Sequence, residues 1–523
     1  MAGTVIPLLN VISLCESTTG WTAVGGTISL SDPTVVDARQ GTYCLQNYSA
    51  STANRGADYD FGTSVDLSDT ILYLWFAFSK VPHATNYMRI IVTDVNGNWG
   101  EWNLFNKGNL PHLSWVCWTV KTTVSFDATS TTPPDKTQIR KVGWRMDSVA
   151  AKTYIYWDAW RYGEGLLIKG GDSFSPATFE DLYLEDSNQD NAYGIIDKYN
   201  GVYYVQGKIY IGSTVDGEDT YFKDTNQIIV FKLSKGSPTD MHGIIGQGNS
   251  SGITKIFFGE KIGDSGLSGI FITAPSQMGW KLDMSDTNIT EFGFYGCTFQ
   301  NANVIKGQAY ASGKEFLGTN FVSCGEMEPD TGVVKRCNFI SAPGRAIKIS
   351  STSHRVTECN FIGNYVAIRH DAGGNYLYDA LMFYGNTYDV ENTSSDEVVI
   401  DRINGSNPST KLENPGSITI NPISVLVKVT VLDIVTKQPV PNARVLIEAA
   451  SGGPLPEGTD ILLGLTNEDG IVQTSFQYLD NQPIRGRVRR ATPSYGVIYK
   501  PAEISGTITS TGFQTTVLLI RDE

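Results

Sequence analysis

Histidine is nearly absent from this chain, five in 523 residues, and its seven cysteines are scattered without a CxxC pair. Those shortages exclude a zinc cage and a disulfide framework. Charge is sparse as well: Asp, Glu, Lys and Arg make up 18% of the residues, against about 25% in an ordinary soluble domain. Basic charge is the scarcer sign. Forty Lys and Arg face 54 Asp and Glu, a net −14, and such a surface repels phosphate backbones, so no nucleic-acid partner is expected. The longest apolar run, Ile71-Leu-Tyr-Leu-Trp-Phe-Ala-Phe78, is far too short to cross a membrane, and no membrane insertion is expected. The opening MAGTVIPLLNVISLCESTTGWTA has no basic stretch and no long apolar core. It predicts synthesis in the cytoplasm without a signal peptide, and export by a route other than secretion.

What is present is turn chemistry and aromatic rings. The 53 glycines are a tenth of the chain and aromatics reach 11%, with Thr, Ser, Asn and Asp abundant. Aromatics pack pleated surfaces while Gly, Asn and Asp supply tight turns, so an all-β protein is expected. This balance excludes a disordered chain, a coiled coil and a collagen-like fibre. At roughly 100–200 residues per domain the length predicts about three domains.

Residues 1–165 alternate apolar and polar residues in short runs: Gly41-Thr-Tyr43-Cys-Leu45, Met88-Arg-Ile-Ile-Val92, Trp115-Val-Cys-Trp118-Thr-Val120 and Tyr154-Ile-Tyr-Trp157. This is the pattern of a β-sandwich. The segments GTYCLQ, VDLSDTILYLWFAF and TYIYWDAWRYG resemble the galactose-binding-like jelly roll of carbohydrate-binding modules, whose last strand carries an aromatic-Asp pattern like Trp157-Asp158-Ala-Trp160. Trp99 and Trp102, in the loop-like Val-Asn-Gly-Asn-Trp-Gly-Glu-Trp run, are the candidate glycan-stacking rings. The alternative is that they cap one end of the core. Asp94, Asn96 and Asn98 have the alternate spacing of a calcium loop, but they equally make a hairpin turn and lack a distal Glu.

The middle of the chain repeats. Five segments end in Cys297-Thr298-Phe299, Thr319-Asn320-Phe321, Cys337-Asn338-Phe339, Cys359-Asn360-Phe361 and Asn386-Thr387-Tyr388, with ring-to-ring steps of 22, 18, 22 and 27. Five positions before each ring stand Phe294, Phe316, Val334, Val356 and Phe383. One coil cannot bury its own apolar face, whereas stacked coils can, so residues 201–405 read as a single-chain parallel β-helix with strands about 4.8 Å apart. Equivalent side chains would pile into a Phe/Tyr stack and an Asn/Thr ladder. The cysteines would be small inward fillers, with Cys337 and Cys359 on adjacent coils and kept as thiols by a cytosolic origin. Residues 166–200 read as a connector whose Ser175-to-Leu182 segment is a helical cap for the first coil, and the turn-rich residues 406–422 as a linker.

Residues 423–523 contain about seven short strands, the count of an immunoglobulin-like sandwich. Lys437-Gln-Pro439-Val-Pro441-Asn-Ala443 and Thr466-Asn467-Glu-Asp469-Gly470 resemble the carboxypeptidase-regulatory-like, transthyretin-like domain. Such a domain implies a spacer or adhesion module without catalysis. The run Arg485-Gly-Arg487-Val-Arg489-Arg490 reads as a solvated strand face or an interface with an acidic neighbour.

A glycosidase needs two carboxylates about 5–9.5 Å apart, one of them held protonated. The available acids are Glu326, Glu328, Asp330, Glu358, Asp371 and Asp379, and none recurs at matching rung positions. No G-x-S-x-G, phosphate-cradling glycine loop or H-E-x-x-H is found, so neither an enzyme nor a cofactor is expected. Jelly roll, right-handed β-helix and Ig-like tail in that order resemble the surface proteins of tailed bacteriophages: tail fibres, tailspikes, and capsid or neck decorations. That resemblance implies a structural component on the virion surface, made in the host cytoplasm and contacting other virion proteins. It further implies a homotrimer and binding to host-surface glycan. The alternatives are a tailspike depolymerase using the β-helix carboxylates and a secreted bacterial adhesin.

Overall fold

A computed structural model describes residues 3–79, 88–105, 114–188, 193–232, 242–263, 265–276, 279–307, 313–329, 332–490 and 497–522. The chain is all-β apart from short helical segments, and it divides into two compact units, Met1–Met327 and Glu328–Glu523.

The first unit opens as a sandwich of two antiparallel sheets. One runs in the order Ala128–Thr129, Trp99–Phe105, Met88–Asp94, Ile139–Val149, Ala53–Val65, Trp21–Ala23. The other joins Gly3–Ser13, Leu45–Tyr48 and Ile71–Phe78 to the long strand Tyr154–Gly170, with Thr27–Leu30 and Val116–Lys121 outside them. Period-two alternation decides which rings meet between the sheets. Leu72, Leu74, Phe76 and Phe78 point into a core built around Trp21, Trp102, Trp144, Trp157 and Trp160. The indoles pack edge to face, Trp144 to Trp157 at 5.3 Å and Trp21 to Trp160 at 5.2 Å between centroids, the arrangement ring quadrupoles favour. Ile71–Phe78 is buried on both faces, which is why it lacks polar alternation: Tyr73 and Trp75 on its outer face are covered too.

The long strand Tyr154–Gly170 leaves the sandwich and becomes the first rung of a parallel stack, its Gly165–Ile168 stretch pairing with Lys208–Ile211. Gly165 allows this close approach, since a Cβ there would lie 1.8 Å from the Lys208 carbonyl oxygen. Three parallel ladders follow. They run through Lys208–Ile211, Gly243–Gly246, Lys281–Asp283 and Val304–Lys306; through Thr220–Asp224, Thr254–Phe258, Glu291–Tyr295 and Lys314–Leu317; and through Val202–Val205, Ile228–Phe231, Phe271–Thr273, Thr298–Gln300 and Asn320–Val322. Helix Phe179–Ser187 starts with a Thr178/Asp181 capping box, which satisfies its exposed N–H groups. Its Phe179 ring lies against Tyr203, Phe222 and Phe258 and covers the first coils.

The second unit carries its own three ladders. Val333–Lys335, Arg355–Thr357, Gly374–Asp379 and Val398–Ile403 form one, Asn338–Ile340, Asn360–Ile362 and Met382–Tyr384 another, and Arg345–Ile349, Val366–His370 and Tyr388–Asn392 the third. Asn360 Nδ2 donates to Asn338 Oδ1 at 2.8 Å, one step of the anticipated ladder. The fifth repeat needs correction. Phe361 pairs with Phe383, so the last ring-to-ring step is again 22 residues, while Tyr388 pairs with Val366 on another face. Tyr378 then takes the place given to Phe383, and Leu381 that of the small filler. The error came from matching Asn-Thr-Tyr to the Asn-Phe endings. Asn386 belongs to a different ladder, in which Asn364 Nδ2 donates to its Oδ1 at 3.0 Å. Residues 406–422 are also more than linker: Lys411–Glu413 and Ile418–Ile420 add strands in parallel to the last coil. Three-residue strands between prolines and glycines are too short to show a period.

The C-terminal sandwich packs the sheet Ile471–Tyr478, Ile423–Asp433, Phe513–Leu519 on the sheet Asp460–Leu465, Arg444–Ala449, Gln482–Arg490, Tyr499–Ile508. Val427, Val429, Val431, Val445, Ile447 and Val488 fill its core. Arg402 ties the last coil to it: the buried guanidinium donates to the carbonyls of Asn421, Tyr478 and Leu479 at 2.8, 2.6 and 3.0 Å. All seven cysteines are buried thiols. Among the described residues no helix is long and apolar enough to cross a membrane.

Candidate functional site

Of the two readings of Asp94, Asn96 and Asn98, the structure shows the turn. Asp94 Oδ1 accepts the N–H groups of Asn96 and Asn98, and its Oδ2 accepts Asn98 Nδ2 and the N–H of Asp135, all within 3.1 Å. Burial pushes this carboxyl up, but the bonds from Asn98, Asp135 and Asn96 outweigh it and hold the group below its ordinary value. Both oxygens are therefore occupied by protein donors. Trp102 is corrected as a glycan platform. It is fully buried, 4.5 Å from the Phe126 ring, with its Nε1 donating to the Val124 carbonyl at 3.1 Å. Inward parity on strand Trp99–Phe105 puts it in the core. Trp99 stays half-exposed at the strand's start.

Among the described residues, Glu358, Asp379, Glu328 and Asp371 each have a basic or amide partner. Glu358 is gripped by Arg336 at 2.7 Å and Lys335 at 3.2 Å, and the hydrogen bond from Arg336 leads the forces lowering its pKa. It is held as a carboxylate, the opposite of a general acid. Asp379 accepts Asn404 Nδ2 at 2.7 Å. Glu328 and Asp371 both face one ammonium, Lys348 Nζ, at 3.7 Å each, so the two carboxylates share a cation. Glu326 stands two residues before Glu328, and Asp330 lies outside the described residues. His370 is no partner for Asp371 either. It points into the coil with its ring 3.9 Å from Tyr376, its Nε2 2.8 Å from Tyr378 Oη, and its pKa pushed down to about 3 by burial.

The structure instead opens a groove of about 510 Å³ in the first unit. Its floor is the outer face of strands Ile71–Phe78 and Val116–Lys121, where Trp75 and Cys117 sit, with Trp115 just before the second strand. Tyr183 and Ser187 of the capping helix form one wall, and Asp197, Gln206 and Lys232 of the first coils another. The Arg39 guanidinium lies 4.4 Å over the Trp75 ring, a cation–π contact that orients its remaining donors. Behind it, Asp158 Oδ2 accepts the N–H groups of Arg39 and Gln40 at 2.7 and 2.9 Å and fixes that loop. Burial raises the Asp158 carboxyl to about 7. The half-exposed Trp115 ring is pinned by its Nε1, which donates to Asp37 O at 2.8 Å. Gln206 Nε2 ties the two sides together through the carbonyls of Cys117 and Gly194. Lys232 Nζ stands 3.4 Å from Asp197 Oδ2. Burial lifts the Cys117 thiol to about 12, so it supplies no thiolate nucleophile.

The groove thus offers the Trp115 indole and Tyr183 phenol rings for the C–H face of a ring-shaped ligand, the Trp75 indole being covered by Arg39, and a guanidinium, ammonium and carboxylate for its hydroxyl edges. Sequence reasoning missed Trp75 and Trp115. Strand parity carried the signal for Trp75, since Leu74 and Phe76 facing the core force Trp75 to the other side. Nothing local marks Trp115, because the capping helix that completes the groove follows it by some sixty residues.

No protein-family model matches the chain, and no curated protein does. Solved structures similar to part of it include an exo-β-agarase (12% identity, covering 29% of this chain and 24% of that one, TM-score 0.23). A family 11 carbohydrate-binding module from Clostridium thermocellum, in complex with a β-1,3-1,4-mixed-linked tetrasaccharide, is similar over 31% of this chain and 96% of its own (10% identity, TM-score 0.23). The CBM22-1 xylan-binding domain of Paenibacillus barcinonensis Xyn10C is similar over 31% and 95% (19% identity, TM-score 0.21). The chain spans about a quarter of the agarase's length and nearly all of the two binding modules.

Proposed function

We propose that this chain is a glycan-binding structural protein of a tailed-phage virion surface, working as a homo-oligomer beside other virion proteins. The observation that carries the glycan part is the groove of Trp115 and Tyr183, floored by Arg39 over Trp75, with Asp197 and Lys232 at its edges. Aromatic faces with a few convergent polar groups are how a protein holds a sugar, whose hydroxyls demand hydrogen bonds and whose ring faces are apolar. The structural part rests on the parallel stacks, which make stiff scaffolds from short strands, and on the order of the three architectures along the chain. The cation and amide partners of the candidate carboxylates favour binding without cleavage.

The test is titration calorimetry of the full chain against oligosaccharides from host capsule and lipopolysaccharide, with parallel assays for new reducing ends. Binding that Trp115→Ala weakens at least tenfold, without new ends, supports the reading. Cleavage abolished by Asp371→Asn would replace it with a depolymerase, and absence of binding to every glycan would remove the sugar role. Imaging of the parent particle that shows copies of this chain on its surface, three to a site, supports the virion role, and a particle without them refutes it.

A further inference from the structure

We propose that the outward face of the C-terminal four-stranded sheet docks an acidic protein surface. Arg444 and Arg489 stand directly opposite one another on neighbouring strands, and Arg487 lies two residues along on the same face. Like charges in cross-strand register repel, so a sheet holding three guanidiniums this close gains from a carboxylate brought to them. Among the described residues Arg485 is satisfied by Glu457 at 2.7 Å and Glu448 at 3.8 Å, whereas Arg444, Arg487 and Arg489 close no ion pair. Glu503 stands in register with Arg487 without closing one. The cluster is set in a chain of net charge −14, where its sign is the exception.

The surroundings choose the class of partner. Leu463 and Leu465 are in register with Leu446 and Arg444, and they are 53% and 51% exposed. A hollow of about 450 Å³ is lined by Leu446, Arg485, Arg487 and Ser505 together with Glu448 and Glu503. A phosphate or sulfate polymer has no use for exposed leucines. Arginine beside aliphatic side chains around a shallow hollow is instead the composition of a protein–protein interface. The partner then places carboxylates against Arg444 and Arg489 and an apolar side chain over Leu463 and Leu465.

Fluorescence anisotropy with the full chain at physiological salt tests this, using a labelled glutamate–tyrosine copolymer as probe and polyglutamate, heparin and duplex DNA as comparators. The copolymer is expected to bind about tenfold tighter than the other three. The double variant Arg444→Glu/Arg489→Glu should lose at least tenfold for the copolymer, and Leu463→Ser/Leu465→Ser about as much, while the latter leaves polyglutamate unchanged. Both pairs are exposed and their variants should keep the wild-type melting curve, which checks that a lost signal is not lost folding. Heparin or DNA binding as tightly as the copolymer would make the face a polyanion site and overturn the proposal. So would copolymer binding that ignores the arginine variant, or no binding of the copolymer at all.

Discussion

The Phe361 ring lies on Phe339 with centroids 5.0 Å apart and planes 8° from parallel, and Phe383 continues the stack at 5.1 Å. Three coils therefore share one aromatic column, and its middle member Phe361 cannot lose its ring without leaving a void against both neighbours.

Phe361→Ala is expected to destabilise the second unit by about 3–5 kcal/mol, the usual cost of a buried Phe cavity. Tyr388→Ala, outside the column and half-buried, should cost less. Urea unfolding of both variants against wild type, followed by a probe in the second unit, checks the order. Equal losses would contradict the corrected register.

Trp102→Ala should cost about 3–5 kcal/mol and Trp99→Ala clearly less, since only the first indole is enclosed in the sandwich core. Calorimetric melting of the two variants reads this difference. A larger loss for Trp99 would return that ring to the core and open the question of Trp102 again.

Removing the Arg402 side chain strands the carbonyls of Tyr478 and Leu479 that it now serves. Arg402→Ala is expected to cost about 1–3 kcal/mol for those unsatisfied groups. It should also raise proteolysis between residues 403 and 423 relative to wild type. Unchanged cleavage there would deny the residue its tethering role.

Burial holds His354 at about 4 and His370 at about 3, both below the ordinary 6.5. The unfolded chain binds protons on these rings first, so their neutral burial supports folding fully above pH 6.5. That support is lost progressively as pH falls towards 3–4. Asp158 has the opposite sign: burial lifts it to about 7, so its contribution weakens as pH rises from about 4 to 7. NMR at pH 5 should find both imidazoles neutral, and Asp158→Asn should flatten the loss of first-unit stability between pH 4 and 7. Imidazoles titrating near 6.5 would show that the rings are exposed.

All seven thiols are buried, and burial raises Cys44, Cys117, Cys297 and Cys324 to about 12. Iodoacetamide at pH 8 should leave the native chain unlabelled and label seven sites after denaturation. Rapid labelling of Cys117 in the native state would mean that the groove floor opens.

Local pattern was enough for what repeats within a few residues. Alternation marked the strands of both sandwiches, and the 22-residue recurrence of Asn-Phe marked the coils, because a side chain that must meet its own copy one rung away is under the same constraint each time. The Ser175-to-Leu182 segment likewise read as a helical cap, and the Thr178/Asp181 box that starts the helix is closed within a single turn. Where the constraint came from distant chain, the pattern was silent or misleading. The fifth coil slipped to Tyr388 because Leu381 and Met382 had replaced the Cys-Asn pair, and only the pairing of Phe361 with Phe383 restores the register. Trp102 and Trp75 differ in fate through strand parity and through what covers each face, Phe126 over one and Arg39 over the other. The groove exists because a strand of the sandwich runs on into the first coil and carries the capping helix back towards Trp115. Sequence spacing sets which residues share a face, but only the closing of the chain on itself decides which faces meet.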